Sequence, residues 1–173
     1  MHQILVLGND FNDTSSQIGP GTQARCRKAA EICSELSNVG VEACLLLAAG
    51  RDGYMRSSTT MAACMDSFMA SIISPVTCVV NREDETVWGL IKELRWAFER
   101  SDTNDRIMVV ISRQAAFRVR LISRMFFHRH VTIITCEDTP WWHEIFGYAK
   151  VMAYAMGLGE VAENFRRRYY REW

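Results

Sequence analysis

Five short apolar runs, each followed by a stretch with helical spacing, constrain this chain more than any single residue does. The runs cover residues 4–7, 43–49, 76–80, 107–111 and 131–136. The first, Ile4-Leu5-Val6-Leu7, is apolar on both faces of a strand, as in the centre of a parallel sheet covered by helices on either side. Strands that alternate with helices are joined by right-handed crossovers and pack into three layers. The expected fold is therefore an α/β/α sandwich with a five-stranded, mainly parallel sheet. At 173 residues the chain can build a core of its own. We read residues 1–173 as one domain, with a C-terminal helical segment at 139–171.

The helical stretches carry their own signals. From Thr22, the positions Ala29, Ile32, Cys33, Leu36 and Val39 share a face, and Gly40 supplies a stop. Ser57 or Ser58 is the expected N-cap of a methionine-rich helix with Met61, Cys64, Met65, Phe68, Met69 and Ile72 on one side. Methionine at this spacing fills cores. Helices are expected over 87–100 and 115–127. Thr139 then caps a C-terminal helix with Pro140 at its first position, continuous or broken near Gly157 and Gly159. Arg25, Arg27 and Lys28 fall in the first two turns of the first helix. Positive charge there opposes the helix dipole, so an anion or another compensating group is expected.

Composition narrows the partners. The chain carries 20 basic and 20 acidic residues, for a formal net charge of zero. That balance argues against nucleic acid or an anionic membrane as the main partner. Seventeen of the basic residues are arginine, a side chain suited to forked recognition of carboxylate or phosphate. The six cysteines stand singly, with no CxxC pair and no zinc-like spacing. They read as reduced, buried thiols of a cytoplasmic protein. With the first strand expected to begin at about residue 3, no leader peptide is expected. No uncharged apolar run of membrane-spanning length occurs. A small-molecule ligand is the expected partner, with a homo-oligomer as a further expectation.

Open parallel sheets bind ligands beyond the carboxyl ends of their strands. The loops there gather Gly8, Asn9, Asp10, Arg25, Gly50, Arg51, Glu83, Thr86, Ser112 and Arg118, our candidate ligand-binding residues. Familiar versions of such a rim are absent from the sequence. Gly8-Asn9-Asp10 is not a dinucleotide or methyltransferase glycine turn, and no GxxxxGK[ST] string occurs. The paired aspartates of a phosphatase-type nucleophile are missing after the first strand. Ser112 lacks a glycine-flanked elbow, and His128, His130 and His143 show no metal-ligand spacing. We assign no catalytic residue and no metal. Trp141 and Trp142 read as packing residues, and Arg166, Arg167 and Arg168 as a solvated helix end.

The motifs resemble, in order along most of the chain, those of the YdcF/SanA/ElyC-like family of bacterial domains of unknown function. The resemblance lies in Leu7-Gly8-Asn9 followed by Arg25 and Ala29 or Ala30, and in Ala48-Ala49-Gly50 where the family has a serine-glycine turn. It continues in Glu83-Asp84-Glu85-Thr86 and in Ser112 followed by Arg118. The chain departs from the family at Ala115, where a histidine is frequent, at Gly89, where an asparagine is, and at Ala48. Losing the histidine removes the obvious general base. The resemblance implies a Rossmann-like fold and, from one member, binding of S-adenosylmethionine without a settled reaction.

The resulting expectation is a binding domain for a nucleotide-like or anionic small metabolite, with S-adenosylmethionine as first candidate. The alternative is a hydrolase or transferase acting on a phosphorylated or envelope-derived small molecule, with Asp10 and Glu83 as acid and base. A third reading is a non-catalytic member acting through self-assembly.

Overall fold

The computed structural model describes residues 1–8, 17–50, 59–84, 86–87, 89–102, 104–136 and 142–159. Its elements are β1 (His2–Val6), α1 (Pro20–Asn38), β2 (Ala43–Leu47), α2 (Met61–Ile72), β3 (Thr77–Val80), α3 (Leu90–Glu99), β4 (Arg106–Ile111), α4 (Ala116–Phe127), β5 (Val131–Thr135) and α5 (Trp142–Ala155). The strands form one sheet in the order β3-β2-β1-β4-β5, and every pairing is parallel. The expected three-layer, Rossmann-like α/β architecture is the one observed.

The layers follow from which face of each strand is apolar. Ile4, Val6, Leu45 and Leu47 pack with Cys26, Ala29, Met61 and Met65, so α1 and α2 cover one face. Leu5, Leu7, Leu46 and Val109 pack with Ile91, Leu94, Val119 and Ile122, so α3 and α4 cover the other, joined by Val151 of α5. Because β1 and β2 are buried on both faces, they read in sequence as continuous apolar runs. β3 lies at an edge and alternates, with Thr77 and Val79 exposed.

Several element boundaries differ from expectation for identifiable reasons. α1 starts at Pro20, two residues before Thr22, because Gly19 takes the N-cap position and proline suits the first turn. Thr60, not Ser57 or Ser58, caps α2: its hydroxyl accepts from the Ala63 amide at 3.2 Å, while the two serines lie outside the described residues. α3 starts at Leu90 and not at Val87, because Gly89 at φ +92° interrupts the helix. Gly40, at φ +71°, ends α1 as expected, and Gly157, at φ +75°, follows the end of α5. Thr139, Pro140 and residues 160–173 lie outside the described residues. Among the described residues, no helix is long and apolar enough to cross a membrane.

At the amino edge of the sheet, Gln3 of β1 is a buried polar residue. Its amide nitrogen donates to Asp105 at 2.6 Å, and its amide oxygen accepts from the Ser101 hydroxyl just beyond α3. A buried amide with both ends engaged carries little desolvation cost.

Candidate functional site

The strand order creates a topological switch. The chain winds outward from β1 through β2 to β3, then returns to place β4 on the other side of β1. At the carboxyl ends of β1 and β4 the connections therefore diverge in opposite directions, which is where open α/β sheets leave a crevice. Val6 pairs with Val110; continuing that register sets Gly8 level with Ser112. Two of the candidate residues thus stand side by side at the switch.

Gly8 is required there by packing. A Cβ at this position would lie 2.4 Å from the Met61 sulfur and 2.7 Å from the Ala49 Cβ. The turn is also gripped from both helical layers. Arg25, buried on α1, donates to the Leu7 carbonyl at 3.0 Å and to the Gly8 carbonyl at 3.4 Å. Glu93, buried on α3, accepts from the Gly8 amide at 3.1 Å and from the Gly89 amide at its own helix start at 3.2 Å. A carboxylate in the first turn also suits the helix dipole. Sequence reasoning did not single out Glu93. It looks like any polar residue of an amphipathic helix, and only the packing of α3 against the end of β1 sets it apart.

The cations at the start of α1 find partners within the protein. Arg25 turns inward to the Leu7 and Gly8 carbonyls just past β1. Arg27 sits 5.5 Å from the centroid of the Phe68 ring and donates to the Gln23 side chain at 3.2 Å. Lys28 pairs with Glu31 at 2.7 Å, and that bond raises the lysine pKa. The compensation expected from an external anion is supplied at least in part by these groups.

The remaining candidates fall in three places. Gly50 is buried, its amide donating to the Val87 carbonyl at 2.5 Å and its carbonyl accepting from the Met61 amide at 2.8 Å; it joins β2, α2 and the approach to α3. Glu83 and Thr86 are exposed in the turn after β3, where Thr86 donates through both its amide and its hydroxyl to Asp84 Oδ1. Ser112 is buried at the end of β4, and Arg118 is half-buried on α4. Asn9, Asp10 and Arg51 lie outside the described residues.

The turn after β3 is organised by its first residue, Asn81. Asn81 is buried, and its side chain donates to the Ala48 and Asp84 carbonyls at 2.9 and 2.8 Å while accepting from the Asp84 amide at 3.0 Å. Thr60 completes the arrangement by donating to the Asn81 carbonyl at 2.6 Å. Glu83 and Thr86 are thus presented on a loop with a fixed base, a few residues from the strand end.

The six cysteines are free thiols. Burial pushes the pKa of Cys26 up to about 12 and those of Cys33 and Cys78 up to about 11. Such thiols are poor nucleophiles near neutrality. No group of three or more His, Cys, Asp or Glu residues suited to a metal ion occurs among the described residues. Compared with protein-family models, with curated proteins and with solved structures, the chain matches none.

Proposed function

We propose that this protein binds a small nucleotide-like or otherwise anionic metabolite at the carboxyl rim of its sheet, over the ends of β1 and β4. The observation that carries this reading is the switch itself. Continuing the β1–β4 register two residues past Val6 and Val110 sets Gly8 level with Ser112, and the Gly8 turn is fixed in advance by Arg25 and Glu93. A pre-shaped rim lowers the ordering cost of binding. Arg118, half-buried on the helix that follows Ser112, is the cation we assign to a carboxylate or phosphate of the ligand.

The motif resemblance makes S-adenosylmethionine the first candidate. The Gly8 amide is already engaged by Glu93, so the donors for such a ligand would come from other groups of the rim. Residence in the cytoplasm goes with this reading, since the cysteines are free.

A thermal-shift panel of S-adenosylmethionine, S-adenosylhomocysteine, nucleotides, sugar phosphates and divalent metals tests the proposal. A ligand at 100 times its dissociation constant stabilises by about 2.7 kcal/mol, roughly 5 to 10 °C for a domain of this size. Arg118→Ala should abolish the shift and leave the unliganded midpoint within about 2 °C of wild type, as for most substitutions away from the core. A flat response to every compound would defeat the reading.

A further inference from the structure

A second recess lies at the same end of the sheet, between α1 and α2. Its volume is about 690 Å³ and its walls include Gln17, Ile18, Thr59, Ser67, Phe68 and Arg82. That volume is within the range of small-molecule sites. Among the described residues, none of its lining comes from β1 or β4, and what is inferred for it does not depend on the reading given for the switch crevice.

The walls divide by chemistry. Ile18 and Phe68 supply an apolar side. The Phe68 ring carries the Arg27 guanidinium at 5.5 Å from its centroid, and Arg27 is held in turn by the Gln23 side chain. Gln23 donates its own amide to the Ile18 carbonyl at 2.9 Å, so this side is braced before any ligand arrives. Opposite in character is Arg82, the one charged residue of the lining among the described residues. One of its nitrogens donates to Asp66 at 2.5 Å, which orients the guanidinium and leaves its other donors for a ligand. Among the described charged residues that line the recess or touch its lining, Arg27 and Arg82 against Asp66 leave one positive charge in excess. The Gln17 amide makes no hydrogen bond among the described residues, and the Ser67 hydroxyl, which donates to the Ala63 carbonyl, still has lone pairs to accept with.

An aromatic wall, an arginine with spare donors, an excess positive charge and polar groups suited to ring edges match one class of ligand. We propose that this recess binds a mononucleotide, its base against Phe68 and its phosphate at Arg82. Base stacking on an aromatic side chain and forked donation to phosphate are the recognition modes available to these residues.

Isothermal titration of the full chain with AMP, GMP, CMP and UMP, alongside adenosine and inorganic phosphate, tests this. At least one nucleotide should bind, and more tightly than adenosine or phosphate alone. Arg82→Gln should weaken it tenfold or more, and Ser67→Trp, which fills the recess from an exposed helix position, should abolish it, with both variants unfolding near the wild-type midpoint. Absence of binding by all four nucleotides would overturn the proposal. So would a nucleotide that binds Ser67→Trp as it binds wild type. If that nucleotide is lost in Arg118→Ala, the ligand belongs to the switch crevice, and the reading of that crevice stands while this one falls.

Discussion

Arg25 and Glu93 hold opposite ends of a single peptide group. The arginine donates to the carbonyl oxygen of Leu7, and the glutamate accepts from the amide of Gly8, the other half of the same Leu7–Gly8 unit. A cation on the oxygen and an anion on the N–H both favour the charge-separated resonance form of the amide. The two hydrogen bonds should therefore strengthen each other. Arg25→Met should cost about 1 to 3 kcal/mol by leaving the buried Leu7 carbonyl without its donor, and Glu93→Gln about 1 to 3 kcal/mol. In urea denaturation, the double variant should lose about 1 kcal/mol less than the sum of the singles. Additivity within about 0.3 kcal/mol would show that the two residues act independently.

Gly8 can be tested on packing alone. In Gly8→Ala, the new methyl meets the Met61 sulfur and the Ala49 Cβ. Met61 can swing aside, but the Ala49 methyl is fixed to its strand. We expect a loss of about 1 to 3 kcal/mol, only partly recovered when Met61→Ala is added. Full recovery in the double variant would make Met61 the whole of the obstacle.

Thr60 and Asn81 form a second joint of the rim. Thr60→Ala removes both a helix cap and the bond to the Asn81 carbonyl, with an expected cost of about 1 to 2 kcal/mol; Thr60→Ser should keep most of that stability. Asn81→Ala removes three hydrogen bonds, at about 1 kcal/mol each. Denaturation midpoints rank the three variants. Equal stability of Asn81→Ala and wild type would remove the joint from the account.

The buried thiols predict alkaline behaviour. The folded state holds the Cys26 proton up to about pH 12, against an ordinary value of 9.0. Stability from this group is therefore complete below pH 9 and is lost as pH rises from about 9 toward 12. Cys33 and Cys78 act in the same direction up to about pH 11. Urea midpoints between pH 8 and 10.5 should fall, and fall less in Cys26→Ala. An identical decline in that variant would assign the alkaline loss to other groups.

The sequence was most informative where one local rule acted without competition. Continuous apolar runs marked β1 and β2 as central strands because both of their faces are buried. Helix starts were harder to place. Ser57, Ser58 and Thr60 can all cap a helix, serine somewhat better than threonine, and Thr60 gains a second bond to Asn81, 21 residues away in sequence. Likewise Val87 continues the apolar pattern of α3, yet it is buried ahead of the helix because Gly89 adopts a positive φ. The strand order was not legible locally, since it depends on which side of β1 the chain returns to. At the rim, Gly8 and Ser112 were readable as strand ends. Arg25 was readable as a misplaced cation, but its partner peptide was not, and Glu93 gave no local sign of its role.

β1 is tied to α3 at both of its ends. Glu93, in the first turn of the helix, reaches Gly8, and Ser101, just past the last turn, reaches Gln3. Five strand residues span roughly 16 Å and eight helical residues roughly 12 Å, so the two attachments admit one axial setting of helix on strand. Slippage by a helical turn would break both. A helix splinted in this way does not peel from either end ahead of the rest, and the central strand and α3 should open together as one cooperative unit, exchanging their amide hydrogens at a common, slow rate.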